Sequence, residues 1–133
     1  MIIISQPKLE VRENEVLVSS CIEDDKKHFR ETIFYKTSAT YRPYVVTEKA
    51  DLFVLSALMP ALFSQSDIRV EGTLSSDLKY ALENGLIYIL AKTYGVRPIK
   101  VHAERIETFE FGGKAVGAGC SMGVDSLATI KQH

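Results

Sequence analysis

The sequence predicts an α+β fold. Strand-like runs punctuated by short polar turns fill residues 8–36, two apolar-rich helical patterns flank one alternating segment between residues 48 and 94, and a further strand-turn-helix pattern lies at residues 115–130. The earlier groups form one α+β domain over residues 1–108, an antiparallel β-meander with two main helices. Residues 109–133 begin a second unit. A chain of 133 residues has room for one ordinary core, or for one small domain and part of another.

Residues 8–11 and 15–22 favour strands, and Arg12-Glu13-Asn14 between them suits a hairpin turn. Glu23-Asp24-Asp25-Lys26-Lys27 reads as a solvated loop tip. In the strand expected at residues 28–36, Phe29, Glu31, Ile33 and Tyr35 share one face while Arg30, Thr32 and Phe34 share the other. The link at 37–44 is rich in turn formers. Its Tyr41 and Tyr44, with Arg42, could stack on a base or a partner, although such residues more often cover the edge of a core.

Thr47 suits the N-cap of a helix beginning at Glu48, with Glu48 and Asp51 in the acid-favouring first turn. Leu52, Phe53, Leu55, Leu58, Met59, Leu62 and Phe63 occupy more than one stripe of that helix. It is therefore expected to be largely buried against the meander, with residues 51–63 also offering a surface for a homo-oligomer. Pro60 is expected to kink or end it near Leu58.

Residues 67–72 alternate cleanly, so Ile68 and Val70 face a core while Asp67, Arg69 and Glu71 face out, as on a protected sheet edge. Ser75 or Ser76 then starts a second helix running to about Tyr94, with Leu78, Leu82, Leu86, Ile89 and Leu90 on one side. Asn84-Gly85 weakens this pattern by about 1 kcal/mol relative to alanine at the glycine and marks the place where it would divide. Gly95 is the natural stop, with Pro98 beyond it. Residues 98–107 carry Ile99, Val101, Ala103 and Arg105 on one face of an edge or joining strand, and 108–114 form the domain boundary.

The chemistry concentrates after that boundary. The apolar run 115–119 leads into Cys120-Ser121-Met122-Gly123-Val124-Asp125-Ser126 and then an apolar helix start, an arrangement that aims free backbone N–H groups at an anion. Gly123 lacks the Cβ that would hold a ligand away, and Ser121 and Ser126 add hydroxyl donors. A plain strand-to-helix connection capped by Asp125 or Ser126 uses the same residue types.

The run Ser121-Met122-Gly123-Val124-Asp125-Ser126 resembles the Ser-Gly-Gly-x-Asp-Ser phosphate loop of the ATP pyrophosphatases, the PP-loop or adenine nucleotide alpha hydrolase-like family. Ser121, Gly123, Asp125 and Ser126 match, and Met122 stands where the first glycine belongs. The resemblance implies a doubly wound α/β nucleotide domain beginning at 109–133, with ATP held by Ser121 to Ser126, magnesium held by Asp125, and adenylation of an acceptor substrate. It also implies that the 133 residues stop within the first helix of that domain and are inactive alone.

Other function classes are excluded or left without a signature. Net charge is -1, from 16 basic and 17 acidic residues, which indicates neither a nucleic-acid surface nor an anionic membrane as main partner. Met1-Ile2-Ile3-Ile4 lacks the flanks of a signal peptide and no run approaches a membrane span, so a cytoplasmic location is the default expectation. Cys21 and Cys120 have no metal-ligand spacing, Cys120 reads as a small buried strand residue, and His28, His102 and His133 are scattered singly. Gly117-x-Gly119-x-x-x-Gly123 is one residue too long for a dinucleotide fingerprint, and no Walker motif is present. Gly119-x-Ser121-x-Gly123 has the spacing of a nucleophile elbow, but only Asp125 and His133 follow it, too close together for a triad. The alternative from another class is a non-enzymatic interaction or oligomerisation module built on the apolar helix and the meander edges.

Overall fold

A computed structural model describes residues 1–26 and 28–110, and within them the apolar opening of the chain becomes the middle of a sheet. β1 (Ile2–Ser5) pairs antiparallel with β3 (Glu15–Asp24) on one side and parallel with β5 (Ile68–Ser75) on the other. β2 (Lys8–Val11) follows β1 along the same edge of β3 after the break at Gln6-Pro7. Proline removes a donor, which ends one ladder and lets the next begin.

β4 (Phe29–Ser38) covers the other edge of β3 over its whole length, and β6 (Val101–Glu107) runs parallel to β5. The order across the sheet is therefore β4, β3, β1 with β2 in line, β5, β6. The expected meander is present as β2, β3 and β4, and the domain is α+β with a mixed sheet. Two expectations change. β5 lies inside the sheet, not at its edge, because alternation reports which face is covered and says nothing of how the backbone is paired. β3 runs on into the charged run as far as Asp24, which is buried and accepts the Lys26 N–H at 2.9 Å to set the turn.

α1 (Asp51–Ser64) starts three residues later than its expected Glu48 beginning. Ala50 holds the cap position without a side-chain bond, fully buried, with its N–H on the Thr73 carbonyl at 2.9 Å. Anchoring to the sheet thus outweighs the local cap that Thr47 offered. Pro60 does not end the helix, which buries Phe53, Val54, Ala57, Leu58, Ala61 and Leu62 on both sides of it. Burying such side chains stabilises by roughly 1.5–3 kcal/mol each for the large ones, enough to offset about 3 kcal/mol for an internal proline.

The second helical pattern divides where Asn84-Gly85 suggested. α2 (Ser76–Ala81) and α3 (Ile87–Tyr94) are joined by a π-helical turn at Leu82–Leu86. Ser75 caps α2, its Oγ accepting the Leu78 N–H at 3.2 Å, and Gly95 closes α3 with φ 65°. The widened turn changes which residues face inward. Leu82, Ile87 and Ala91 are buried with Leu78 partly so, a spacing of four, five and four, whereas Leu86 and Ile89 are 36% and 60% exposed. A plain α-helix would have kept Leu86 on the inner side.

All three helices contribute to one core with the sheet-face residues Ile2, Ile4, Val18, Ile22, Ile68, Val70 and Val101. Alternate residues of the sheet, Arg30, Phe34, Arg69, Glu71 and Glu104 among them, are exposed. No helix among the described residues is long and apolar enough to cross a membrane.

Candidate functional site

The residues singled out for phosphate and metal binding, Ser121, Met122, Gly123, Val124, Asp125 and Ser126, lie outside the described residues, as does Cys120. What the structure positions is the ground leading to them. β1, β5 and β6 are parallel, so their carboxyl ends meet at one end of the sheet, the end where ligands bind in open α/β sheets.

Linked side-chain contacts occupy that end. The Asp51 carboxylate accepts the Ser75 hydroxyl at 2.5 Å and the Ser75 N–H at 3.0 Å, tying the start of α1 to the end of β5. Lys49 Nζ lies 3.7 Å from Asp51 Oδ2 and 4.5 Å from the centre of the Phe109 ring, so the segment leaving β6 rests on this lysine. Beside them Gln6 bridges three segments, accepting the Thr73 N–H at 3.1 Å and donating to the Thr47 carbonyl at 2.8 Å. Arg105 donates to Thr73 Oγ1 at 3.1 Å.

Charge and donors here are engaged in holding strand ends together. Among the described residues Ser75 has a carboxylate and a helix N–H as partners and no histidine hydrogen-bonded to it, which fits a clamp and cap. Among the described residues no group of three or more His, Cys, Asp or Glu could hold a metal ion.

A cleft of about 340 Å³ opens between β4 and the start of α1, lined by Tyr35, Lys36, Tyr44, Lys49, Asp51 and Leu52 among others. Tyr44 is 80% exposed and Tyr41 57%, both on a 3-10 turn (Ala39–Tyr44), so neither covers a core edge as expected. A second, more apolar cleft of about 280 Å³ lies further along, between Phe29 and Ile33 of β4 and Ser56, Pro60 and Ser64 of α1. On the opposite face of the sheet, Cys21 is half-buried. The Arg30 guanidinium is held above its ordinary value, first by a hydrogen bond with Cys21 and then by the charge of Glu23.

The Gln6 bridge is absent from the sequence-based expectations, yet it had a signal. Gly72 interrupts an alternating strand, and a glycine there marks a close approach of another group. Here that group is Gln6, whose side chain lies where a Cβ would be.

No protein-family model matches this chain, and no curated protein matches it. Among solved structures, that of Fowlpox virus resolvase with substrate Holliday junction DNA is similar over 86% of this chain, at 16% identity and a TM-score of 0.24. The chain spans 66% of the length of that resolvase chain. A likeness of this size assigns neither family nor function.

Proposed function

We propose that this chain is the N-terminal part of an ATP pyrophosphatase-like protein, in which the α+β domain of residues 1–108 precedes a doubly wound nucleotide domain beginning in residues 109–133. The observation that carries the reading is Ser121-Met122-Gly123-Val124-Asp125-Ser126, between an apolar strand pattern and a helix start. Supporting it, the described domain delivers Phe109 to the carboxyl end of its parallel strands, twelve positions before Ser121.

In this reading the amides around Gly123 and the hydroxyls of Ser121 and Ser126 bind the phosphates of ATP, and Asp125 holds its magnesium ion. Fixing the triphosphate presents the α-phosphorus to an acceptor carboxyl or carbonyl oxygen. The new P–O bond forms as pyrophosphate leaves, and positioning with electrostatic stabilisation carries the step. The test is calorimetric titration of ATP with magnesium into the protein expressed with its reading frame continued past His133, repeated with Asp125→Ala. At least about tenfold weaker binding is expected for the variant. Equal affinity removes the metal role, and no binding by either protein removes the nucleotide reading.

A second reading, a non-enzymatic assembly module, is favoured by α1. Leu52, Leu55 and Phe63 are 44%, 46% and 57% exposed, leaving an outer apolar stripe on a helix whose other side is fully covered. Surface variants along that stripe that abolish association without touching nucleotide affinity would favour it.

A further inference from the structure

Edge strands in stable proteins are usually short, bulged, interrupted by proline or guarded by charge, because a free row of N–H and C=O groups pairs readily with another chain. β4 has few of these devices. It runs ten residues without proline or glycine and keeps unbroken register with β3 from Phe29 opposite Asp24 to Ser38 opposite Glu15. Among the described residues nothing pairs with its other edge.

Its cations are exposed but engaged with the neighbouring strand. Arg30 lies 3.0 Å from Glu23 and Lys36 2.8 Å from Glu15, both carboxylates on β3. Apolar surface lies beside them: Phe34 is 58% exposed on the outer face, and Phe29 and Tyr35 are 47% and 42% exposed on the helix-covered face, where Glu31 is exposed too.

We infer that β4 pairs antiparallel with β4 of a second copy, about a two-fold axis at Phe34. The choice of occupant follows from the side chains. With Phe34 opposite its own copy, Thr32 meets Lys36 and Arg30 meets Ser38 on the outer face, while Ile33 meets Tyr35 and Glu31 meets Thr37 on the helix-covered face. Aromatic pairs and aromatic with β-branched pairs are the favourable cross-strand contacts, and no like charges are opposed.

Centring on Tyr35 opposes no like charges but shortens the paired stretch from residues 30–38 to residues 32–38, and the registers on the other side are worse. Centring on Ile33 sets Arg30 against Lys36 twice, and centring on Thr32 sets Ile33 against Glu31 twice. Slips by a single residue would oppose side chains from different faces. A net charge of -1 leaves little long-range repulsion between two copies. The pairing is independent of any nucleotide site.

Cross-linking tests the register directly, in the full 133-residue chain with Cys21→Ser and Cys120→Ser. In F34C the two thiols lie directly opposite, at the Cα separation of about 4.5–5.5 Å that a disulfide spans, so mild oxidation yields a covalent dimer. T32C yields none, because the two copies of residue 32 are four positions apart, roughly 13 Å along the strands.

Sedimentation across a concentration series reads the affinity. Phe34→Lys raises the dimer dissociation constant by at least about tenfold while circular dichroism stays unchanged, as expected for a side chain outside the core. Three results would overturn the pairing: a monomer at every attainable concentration, equal cross-linking of T32C and F34C, or a dimer that survives F34K and is lost in Leu55→Lys on α1.

Discussion

Substituting Gly72 by alanine should cost about 3 kcal/mol, and the reason can be taken apart. Gly72 has φ 156°, a conformation side chains rarely adopt, and a Cβ there would overlap the amide oxygen of Gln6. The end of a glutamine can swing away, so the overlap itself is relieved cheaply. The cost comes from what Gln6 then releases, the Thr73 N–H at 3.1 Å and the Thr47 carbonyl at 2.8 Å. Each lost bond is worth about 1 kcal/mol, and the backbone conformation adds about 1 kcal/mol more. Gln6→Ala alone loses the same two bonds, about 2 kcal/mol. If the losses are shared, G72A/Q6A costs about 3 kcal/mol, where independent effects would sum to about 5 kcal/mol. Urea unfolding of the four proteins measures this, at roughly 1–3 kcal/mol/M for a small protein. Additivity within about 0.5 kcal/mol would refute the shared-bond explanation.

The remaining predictions concern the same end of the fold and its second helical segment. Ser75→Ala removes both the cap on Leu78 and the hydroxyl bond to Asp51, leaving the Ser75 N–H bond in place, and should lower stability by about 2–3 kcal/mol in thermal or denaturant melts; Ser75→Thr, which keeps the hydroxyl, should recover most of it. A loss below about 0.5 kcal/mol for S75A would mean that the clamp is idle. Gly85→Ala should stabilise by about 0.5–1 kcal/mol, because nothing lies within 4 Å of the added carbon and the backbone is not left-handed there. A destabilised G85A would show that the π-helical turn requires glycine.

Legibility differed by the kind of information each feature needs. The β2–β3–β4 meander, the Ser75 cap, the division near Gly85 and the Gly95 stop are local, and short sequence patterns report local preferences. The place of β1 is not local. Met1-Ile2-Ile3-Ile4 is too short to declare a period, and its partners are residues 22–24 and 68–71. The late start of α1 has the same origin, since Ala50 is held by Thr73 from another strand. At the parallel-strand ends, Asp51 was expected as a first-turn acid, and its clasp on Ser75 needed the fold to bring residues twenty-four positions apart together. The phosphate-loop residues were legible as a motif alone, and their geometry lies outside the described residues.

The widened turn between α2 and α3 bears on how this segment tolerates changes in length. An added residue in a regular helix swings everything after it by about 100°, which would turn Ile87 and Ala91 toward solvent. Absorbed within one broad turn, the extra position leaves the downstream residues in phase with Leu78 and Leu82. A homologue one residue shorter between Leu82 and Ile87 could therefore bury the same four side chains with an uninterrupted α-helix, making this the natural point for insertions and deletions to enter the domain without disturbing its interior.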